Sequence, residues 1–399
     1  MPPATVAVLA DDLTSAADGA APFRRTGHRA VVLCEPIGGS TAGPIAGPIA
    51  GPIAGPIAAP PGEGVTAVDL GTRLVDAAEA AARTRRAAGA YAGADLLIKT
   101  VDSTLRGHVA AEVRAALAGS GRRAAIVAPA FPAEGRTTVD GVQYVRGVRV
   151  DESEFARDPA HPVRTADLAR ILPEAVLVGA EELPGAVAKG GVLVCSAVSD
   201  AEIDAIVAAV PTPEQVLWVG SPGLADALAR RHPRVPAAAP PELPPVRSPL
   251  TVVGSANPAS RRQLAALQAR FTDPVAVLHT PEERGADPAA LLARLVEEVR
   301  RTVAEGRADG LVLTGGETAA AVLGALGADG IELYDEPEPG IARGTLHAPA
   351  APHETGGGSV TPTPLPVPVP VPVLVKAGGF GDDDALVRLH ALLTAGGPR

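Results

Sequence analysis

The chain has 399 residues, of which 46% are hydrophobic, 20% charged and only 2% aromatic. That length accommodates two domains, whose cores must be built from Ala, Val, Leu and Ile. A formal net charge of −10 argues against the basic footprint of a nucleic-acid partner, and no apolar run approaches the ~18 residues of a membrane span.

The opening MPPATVAVLADD lacks the basic segment that precedes the apolar run of a signal peptide, so a cytoplasmic location is expected. Residues 5–10 form a short β-branched run, followed at once by Asp11 and Asp12 and then a helix to about Arg25. Residues 30–34 are the next strand, and this β-α-β opening predicts a parallel, doubly wound sheet. Residues 43–58 are four copies of GPIA, and a Pro at every fourth position excludes helix interior and central strand, leaving a low-complexity insertion. VTAVDLG reads as a strand, and Arg73 to Ala88 as an Ala-rich helix. Cys34 and Cys195 lie in apolar runs and read as buried free thiols.

The densest stretch is LIKTVDSTLRGHVAAEVR, residues 97–114. An apolar strand end delivers Lys99, Asp102, Ser103, Thr104, Arg106 and His108 ahead of an amphipathic helix. Ligands of open α/β sheets sit outside the carboxyl ends of strands. Arg106 could grip a carboxylate or phosphate with its planar fork, and Asp102 could accept a proton or hold a metal ion. An ordinary helix start, capped by Asp102, Ser103 or Thr104, would use one of these residues and leave the rest unexplained. Asp11 and Asp12 repeat the pattern: one carboxylate could serve as a base or bind Mg²⁺, and a capped helix with an acidic first turn is the alternative. Only three lysines occur, Lys99, Lys189 and Lys376, in a chain that otherwise uses Arg, so a retained lysine suggests a compact point charge meeting a phosphate.

Residues 124–132 are another strand, leading into a loop with Arg136 after Gly135 and then a β-hairpin ending at Gly147. Residues 151–163 read as an acidic loop, and further strand–helix units follow from 166 to 231. The Pro-rich segment 233–249 reads as a linker, dividing the chain into domains at 1–232 and 250–399. Beyond it come strand 250–254, helix 258–270, strand 274–278, helix 287–305, strand 310–313 and helix 317–326. Pro and Gly dominate 337–373, with 352–373 as a Pro-rich insertion resembling a polyproline spacer, before a closing strand, Gly turn and helix. The fold expected is α/β, with a mostly parallel sheet flanked by helices in each domain.

Three glycine turns follow strands of the second half: Gly254-Ser255-Ala256-Asn257, Thr314-Gly315-Gly316-Glu317-Thr318 and Lys376-Ala377-Gly378-Gly379-Phe380-Gly381. Backbone amides at such turns bind phosphates, and three on parallel strands would converge on one nucleotide. No G-x-x-x-x-G-K-[ST], G-x-S-x-G or H-E-x-x-H appears, and the protein-kinase motif set is missing.

Taken in order, ADDLTSAAD, KTVDSTLRGH, PAFPAEGRTTVDGVQYVRGV, EFARDPAHPV, GSANPASRRQ, TGGETA and KAGGFG resemble the four-carbon acid sugar kinase family over residues 5–390. The resemblance implies an ATP-dependent kinase phosphorylating the terminal hydroxyl of a threonate, erythronate or 3-oxo-tetronate. It implies an N-terminal sugar-acid-binding domain and a C-terminal nucleotide-binding domain. The substrate side would be Asp11, Asp12, Lys99, Asp102, Ser103, Arg106 and Arg136; the nucleotide side would be Ser255, Gly315, Gly316, Glu317, Thr318, Gly378 and Gly379. On this reading Arg106 or Arg136 takes the substrate carboxylate, Lys99 lies beside the transferred phosphoryl, and Asp12, with Asp102 second, is the base. ATP is held by the Gly turns with Mg²⁺ bridging its phosphates, and there is room for a homodimer. Two departures stand out: Ser15 replaces the family's Gly in ADDLTG, and Asn257 stands where a small hydroxyl residue is common. A binding protein without turnover and a different α/β enzyme, such as a phosphatase or aldolase, are the alternatives; ATP-dependent turnover separates them from a kinase.

Overall fold

The computed structural model describes residues 5–34, 63–158, 161–240, 243–255, 257–271, 276–281, 287–347 and 370–394; the GPIA repeats and residues 352–369 lie outside these. The chain divides into two compact units, with the change at Ala239/Pro240.

In the first unit, β1 (Thr5–Ala10), α1 (Leu13–Arg25), β2 (Ala30–Cys34), β3 (Gly64–Asp69), α2 (Ala77–Ala90), β4 (Leu96–Thr100), α3 (Val109–Ser120) and β5 (Ala124–Ala128) alternate as the apolar periodicity predicts. A three-stranded antiparallel ribbon follows: β6 (Arg136–Val139), β7 (Val142–Val145) and β8 (Val148–Arg149). The unit ends with α4 (Leu168–Ile171), β9 (Val176–Leu177), α5 (Leu183–Lys189), β10 (Gly191–Val194), α6 (Asp200–Ala208), β11 (Val216–Gly220) and α7 (Pro222–Arg231). Its main sheet runs β2-β3-β1-β4-β11-β5-β10-β9 with every pair parallel. Val6–Ala10, Leu96–Ile98 and Ala124–Ala128 are buried on both faces, hence their unbroken apolar character. The register pairs Ala10 with Asp69 and Leu9 with Lys99. The carboxyl ends of β1, β3 and β4 therefore finish at one level, and whatever follows them shares one sheet edge.

Two departures from expectation bear on that edge. The second helix begins at Ala77, capped by Asp76, so Arg73 belongs to the loop after β3 and not to the helix. α3 begins at Val109, and the residue before it, His108, makes no side-chain cap. Asp102, Ser103 and Thr104 consequently do not cap this helix.

The second unit comprises β12 (Pro249–Val253), α8 (Pro258–Arg270), β13 (Val277–His279), α9 (Pro288–Ala304), β14 (Gly310–Thr314), α10 (Gly316–Ala325), β15 (Gly330–Glu338), β16 (Ile341–His347), β17 (Pro372–Lys376) and α11 (Ala385–Thr394). Its sheet runs β13-β12-β14-β17-β16-β15, parallel up to β17 and antiparallel beyond. The β15–β16 hairpin occupies sequence expected to be irregular. Pro337 is accommodated because the register shifts between Asp335 and Glu338, and Arg343 fixes the ribbon through two bonds to Asp335, at 2.8 and 2.6 Å. Pro372 and Val373 belong to β17 and not to a spacer. The segment expected as a linker is anchored at both ends: Arg234 and Ala238 donate their amides to Thr26 and Gly27, and Val246 lies in the second unit's core. Cys195 is buried as a free thiol and Cys34 is half-buried. Among the described residues no helix is long and apolar enough to cross a membrane.

Gly119 lets α3 approach α2: a Cβ there would stand 2.3 Å from the carbonyl oxygen of Arg85. Gly119→Val should cost about 2 kcal/mol by overpacking, read by urea denaturation. Gly93→Ala, with nothing within 4 Å of its new methyl, should be neutral.

Candidate active site

Four carboxylates gather at the shared strand edge of the first unit. Asp11 and Asp12 follow β1, Asp69 closes β3 and Asp102 follows β4. Asp12 caps α1: its Oδ1 accepts the Ser15 amide and the Thr14 hydroxyl, each at 2.8 Å. Asp102 makes the equivalent turn, its Oδ1 accepting the Thr104 amide and hydroxyl, each at 2.8 Å. The other oxygens face one guanidinium. Arg73 pairs through Nε with Asp11 Oδ2, through Nη2 with Asp12 Oδ2 at 3.2 Å, and through Nη1 with Asp102 Oδ2 at 3.5 Å. Asp12 is the most accessible of the three, its side chain 18% exposed against 4% for Asp11 and 7% for Asp102.

This arrangement sorts the acidities. Burial alone would raise Asp11, but Arg73 and then Lys99 hold its carboxyl well below the usual range. Burial likewise works against Asp102, and Arg106 with Arg73 brings it below its ordinary value. Asp69 accepts only the Gly71 amide, at 2.8 Å, among the bonds found for its side chain. Burial pushes it up against that amide's pull, Asp12 and Asp11 add to the push, and it reaches about 7.

Beside the carboxylates lies a cationic lobe. Arg106 bonds Asp102 through Nε at 2.5 Å and Asp158 through Nη1 at 3.3 Å. Its guanidinium stands 5.3 Å from the centre of the Phe155 ring, and that of Arg136 stands 5.9 Å from the same ring. Arg136 is 3% exposed. Its Nη1 bonds the Glu134 carbonyl, while its Nε has no partner. Burial works against its charge, so an arriving anion would be held strongly. Asp11 Oδ1 is the matching orphan acceptor, buried and without a hydrogen bond among the described residues. A buried acceptor and a buried donor of this kind are able to pair with groups that a ligand brings. A cavity of about 450 Å³ opens at Arg106, bounded by Gly107, His108, His161 and Arg164. The turn that presents Arg106 is strained: Leu105 takes φ 62° with its side chain buried.

Lys99 is placed differently from the phosphoryl-facing position expected of it. It is fully buried, ion-paired to Glu112 of α3 at 3.0 Å and donating to the Thr100 carbonyl at 2.6 Å. Ser103 is buried too, and its carbonyl accepts from Gln143 Nε2 at 2.8 Å. Arg73, Asp69 and Phe155 were not singled out by sequence, although Asp69 and Arg73 do follow an apolar strand, the same signal that marks Asp11 and Asp102.

In the second unit the three glycine turns stand at the ends of β12, β14 and β17, neighbours in register, with Val253 opposite Thr314 and Thr314 opposite Lys376. A Cβ on Gly378 would fall 2.1 Å from Ser255 Oγ, and one on Gly254 1.8 Å from Thr318 Oγ1. Gly315 takes φ 98°, and α10 starts at Gly316 without a side-chain cap, its amides open to an anion. Glu317 is exposed in that first turn. Gly379 lies near Asn257, which caps α8. Gln263, also missed by sequence, shapes the last turn by donating Nε2 to the carbonyls of Phe380, Gly381 and Asp382.

The chain matches the family models for a sugar-binding N-terminal domain over residues 6–228 and a nucleotide-binding C-terminal domain over residues 275–386. It is 35% identical to a D-threonate kinase of Bordetella bronchiseptica, with 96% of each chain covered. The chain belongs to the four-carbon acid sugar kinase family. Other relatives are a D-threonate kinase of Cupriavidus necator, 34% identical over 84% of this chain and 88% of that one, and a 3-oxo-tetronate kinase of Methylobacterium radiotolerans, 29% identical over 76% and 72%. A crystal structure from Salmonella typhimurium shares the fold at a TM-score of 0.71 and 19% identity, covering 96% of this chain and 98% of that one. The four-carbon acid sugar kinase family thus accounts for an acid-rich sugar domain beside a glycine-turn domain.

Two stability measurements probe the buried charges. Glu112→Ala strands Lys99 in the interior and should cost about 3–5 kcal/mol in chemical denaturation. Asp69 is raised on folding, so between about 4, its unfolded value, and about 7 the native state holds a proton that the unfolded state has released. Its contribution to stability therefore falls as pH rises through that window. Asp69→Asn should flatten this decline and raise Tm at pH 8 more than at pH 4.

Proposed function

We propose that this chain transfers the γ-phosphoryl group of ATP to the terminal C4 hydroxyl of a four-carbon sugar acid, with D-threonate the first candidate. One observation carries the reading: the Arg73–Asp102–Arg106 chain of ion pairs leads from Asp11, whose Oδ1 is a buried acceptor without a partner, to the Phe155 ring, where Arg136 offers a buried donor without one at Nε. A hydroxy acid supplies the complement of both, a donating hydroxyl and an accepting carboxylate. The D-threonate kinase names of the two relatives above 30% identity favour that acid.

Arg136, assisted by Arg106 across Phe155, binds the substrate carboxylate. Asp11 Oδ1 accepts from a substrate hydroxyl. Asp12, the most exposed carboxylate of the fan, takes the proton of the C4 hydroxyl at Oδ2, with Asp102 the second candidate. As that proton leaves, the hydroxyl oxygen bonds to the γ-phosphorus and the bridge to the β-phosphate breaks, releasing ADP. This chemistry demands positioning and charge neutralisation more than covalent participation. Lys99 serves from behind, its ammonium adding to the field that keeps Asp11 ionised; Ser103 shapes the turn.

The residues of the second unit suit ATP, which supplies the phosphoryl group. The α10 amides and the backbone of Ser255, Gly315, Gly316, Thr318, Gly378 and Gly379 would hold its phosphates, and Glu317 stands at the rim. Among the described residues no group of three or more His, Cys, Asp or Glu could cage a metal ion; Mg²⁺ brought with ATP would neutralise phosphate charge.

Coupled ADP release with Mg-ATP tests the reading across D-threonate, D-erythronate, L-threonate and 3-oxo-tetronate. Turnover dependent on one of these acids is expected; ADP release indifferent to all of them would contradict it. Asp12→Asn should lower kcat by about 10²–10⁴-fold, and an unchanged kcat would remove Asp12 as base. Arg136→Met should raise KM for the acid by about tenfold or more, with kcat less affected.

A further inference from the structure

We propose that Arg73 is the positioning residue of this site, the group whose fork holds the carboxylates of Asp11, Asp12 and Asp102 in one array toward the substrate hydroxyls. The assignment rests on the kinase reading above. Each of these carboxylates follows a β-strand in the same sheet, and no bond joins them directly among those found. Asp12 and Asp102 spend Oδ1 on their own turns and turn Oδ2 to Arg73. Asp11 also gives Oδ2 to Arg73 and leaves Oδ1 without a partner. Three nitrogens of one planar group thus meet three acceptors, a pattern that an ammonium, with its single nitrogen, cannot reproduce.

Arg73 is itself held in place. The amides of Thr72 and Arg73 both donate to the Asp11 carbonyl, at 3.0 and 3.1 Å. His108 Nε2 lies 2.6 Å from the Val75 carbonyl and pins the loop farther on. Gly107, beside Asp11 Oδ2 and Arg73, takes φ 86°, a left-handed conformation that favours glycine. Ser15 Oγ takes a further long contact from Nη2 at 3.4 Å, so the residue that departs from the family's Gly touches the fork. A guanidinium neither gives nor takes a proton at ordinary pH, so Arg73 acts through the carboxylates it arranges.

The charged and titratable groups around the fork are Asp11 and Asp12 after β1, Asp69 on β3, Lys99, Asp102 and Arg106 from the β4 end, Glu112 on α3, His161, whose ring bonds the Arg73 backbone, and His108 packed against that ring. With Arg73 gone, the acids repel one another and ionise less readily, whereas a lysine would keep a charge but lose the fork. The test is steady-state kinetics from pH 5 to 9 for wild type, Arg73→Lys and Arg73→Gln, with Mg-ATP and whichever acid turns over. Arg73→Lys should lower kcat by about 100-fold, change KM for the acid little, and leave the acid limb of kcat/KM in place. Arg73→Gln should lose at least as much and move that limb to higher pH. If Arg73→Gln does not fold, the kcat loss in Arg73→Lys decides. Variants that lose Tm but keep kcat and the pH limb of wild type would overturn the assignment alone. A wild type silent with every acid would bring down the kinase reading, and this assignment with it.

Discussion

The arrangement of the first unit depends on one electrostatic constraint: four carboxylates meet at the end of three parallel strands, and their mutual repulsion must be balanced inside a largely buried edge. Arg73 supplies the nearest counter-charge. Arg106 takes a second share of Asp102, and Lys99 acts on Asp11 from beneath while paired with Glu112. Asp69 is the carboxyl left over, and its affinity for a proton rises accordingly. Removing one partner of a buried pair costs far more than the pair contributes over an apolar replacement. Such a cluster is therefore better explained by chemistry than by stability.

The same edge brings opposite demands together. Asp11, Asp12 and Asp102 repel an anion, yet a sugar acid carries one. The structure separates the two charges: Arg136 and Arg106 share the Phe155 ring apart from the Arg73 fan, and on the proposed reading the carboxylate goes to the first lobe and the hydroxyl end to the second. Asp102 joins the two lobes, bonded to Arg106 on one side and to Arg73 on the other.

Much of this was visible in sequence, for a reason that also limits it. Asp11, Asp12 and the Lys99–His108 stretch stand out because polar residues crowd immediately behind apolar strands. The residues that connect them do not. Asp69 meets Asp11 only because β3 pairs with β1, a long-range register that VDLGTR does not announce, and Arg73 was absorbed into a helix that begins later. Phe155 was hidden in an acidic loop, and β15–β16 behind the proline that its register shift accommodates. Lys99 shows the converse: its rarity drew attention, whereas burial against Glu112 became apparent only in three dimensions. The glycine turns of the second unit were visible singly, and the β12–β14–β17 order is what makes them neighbours.

Phosphorus-31 NMR of the protein with Mg-ATP and D-threonate tests the central reading most directly, because it distinguishes transfer from hydrolysis. A new phosphomonoester resonance, growing in step with ADP and only when the acid is present, is the predicted result. Intact ATP, or inorganic phosphate formed at the same rate without the acid, would contradict it.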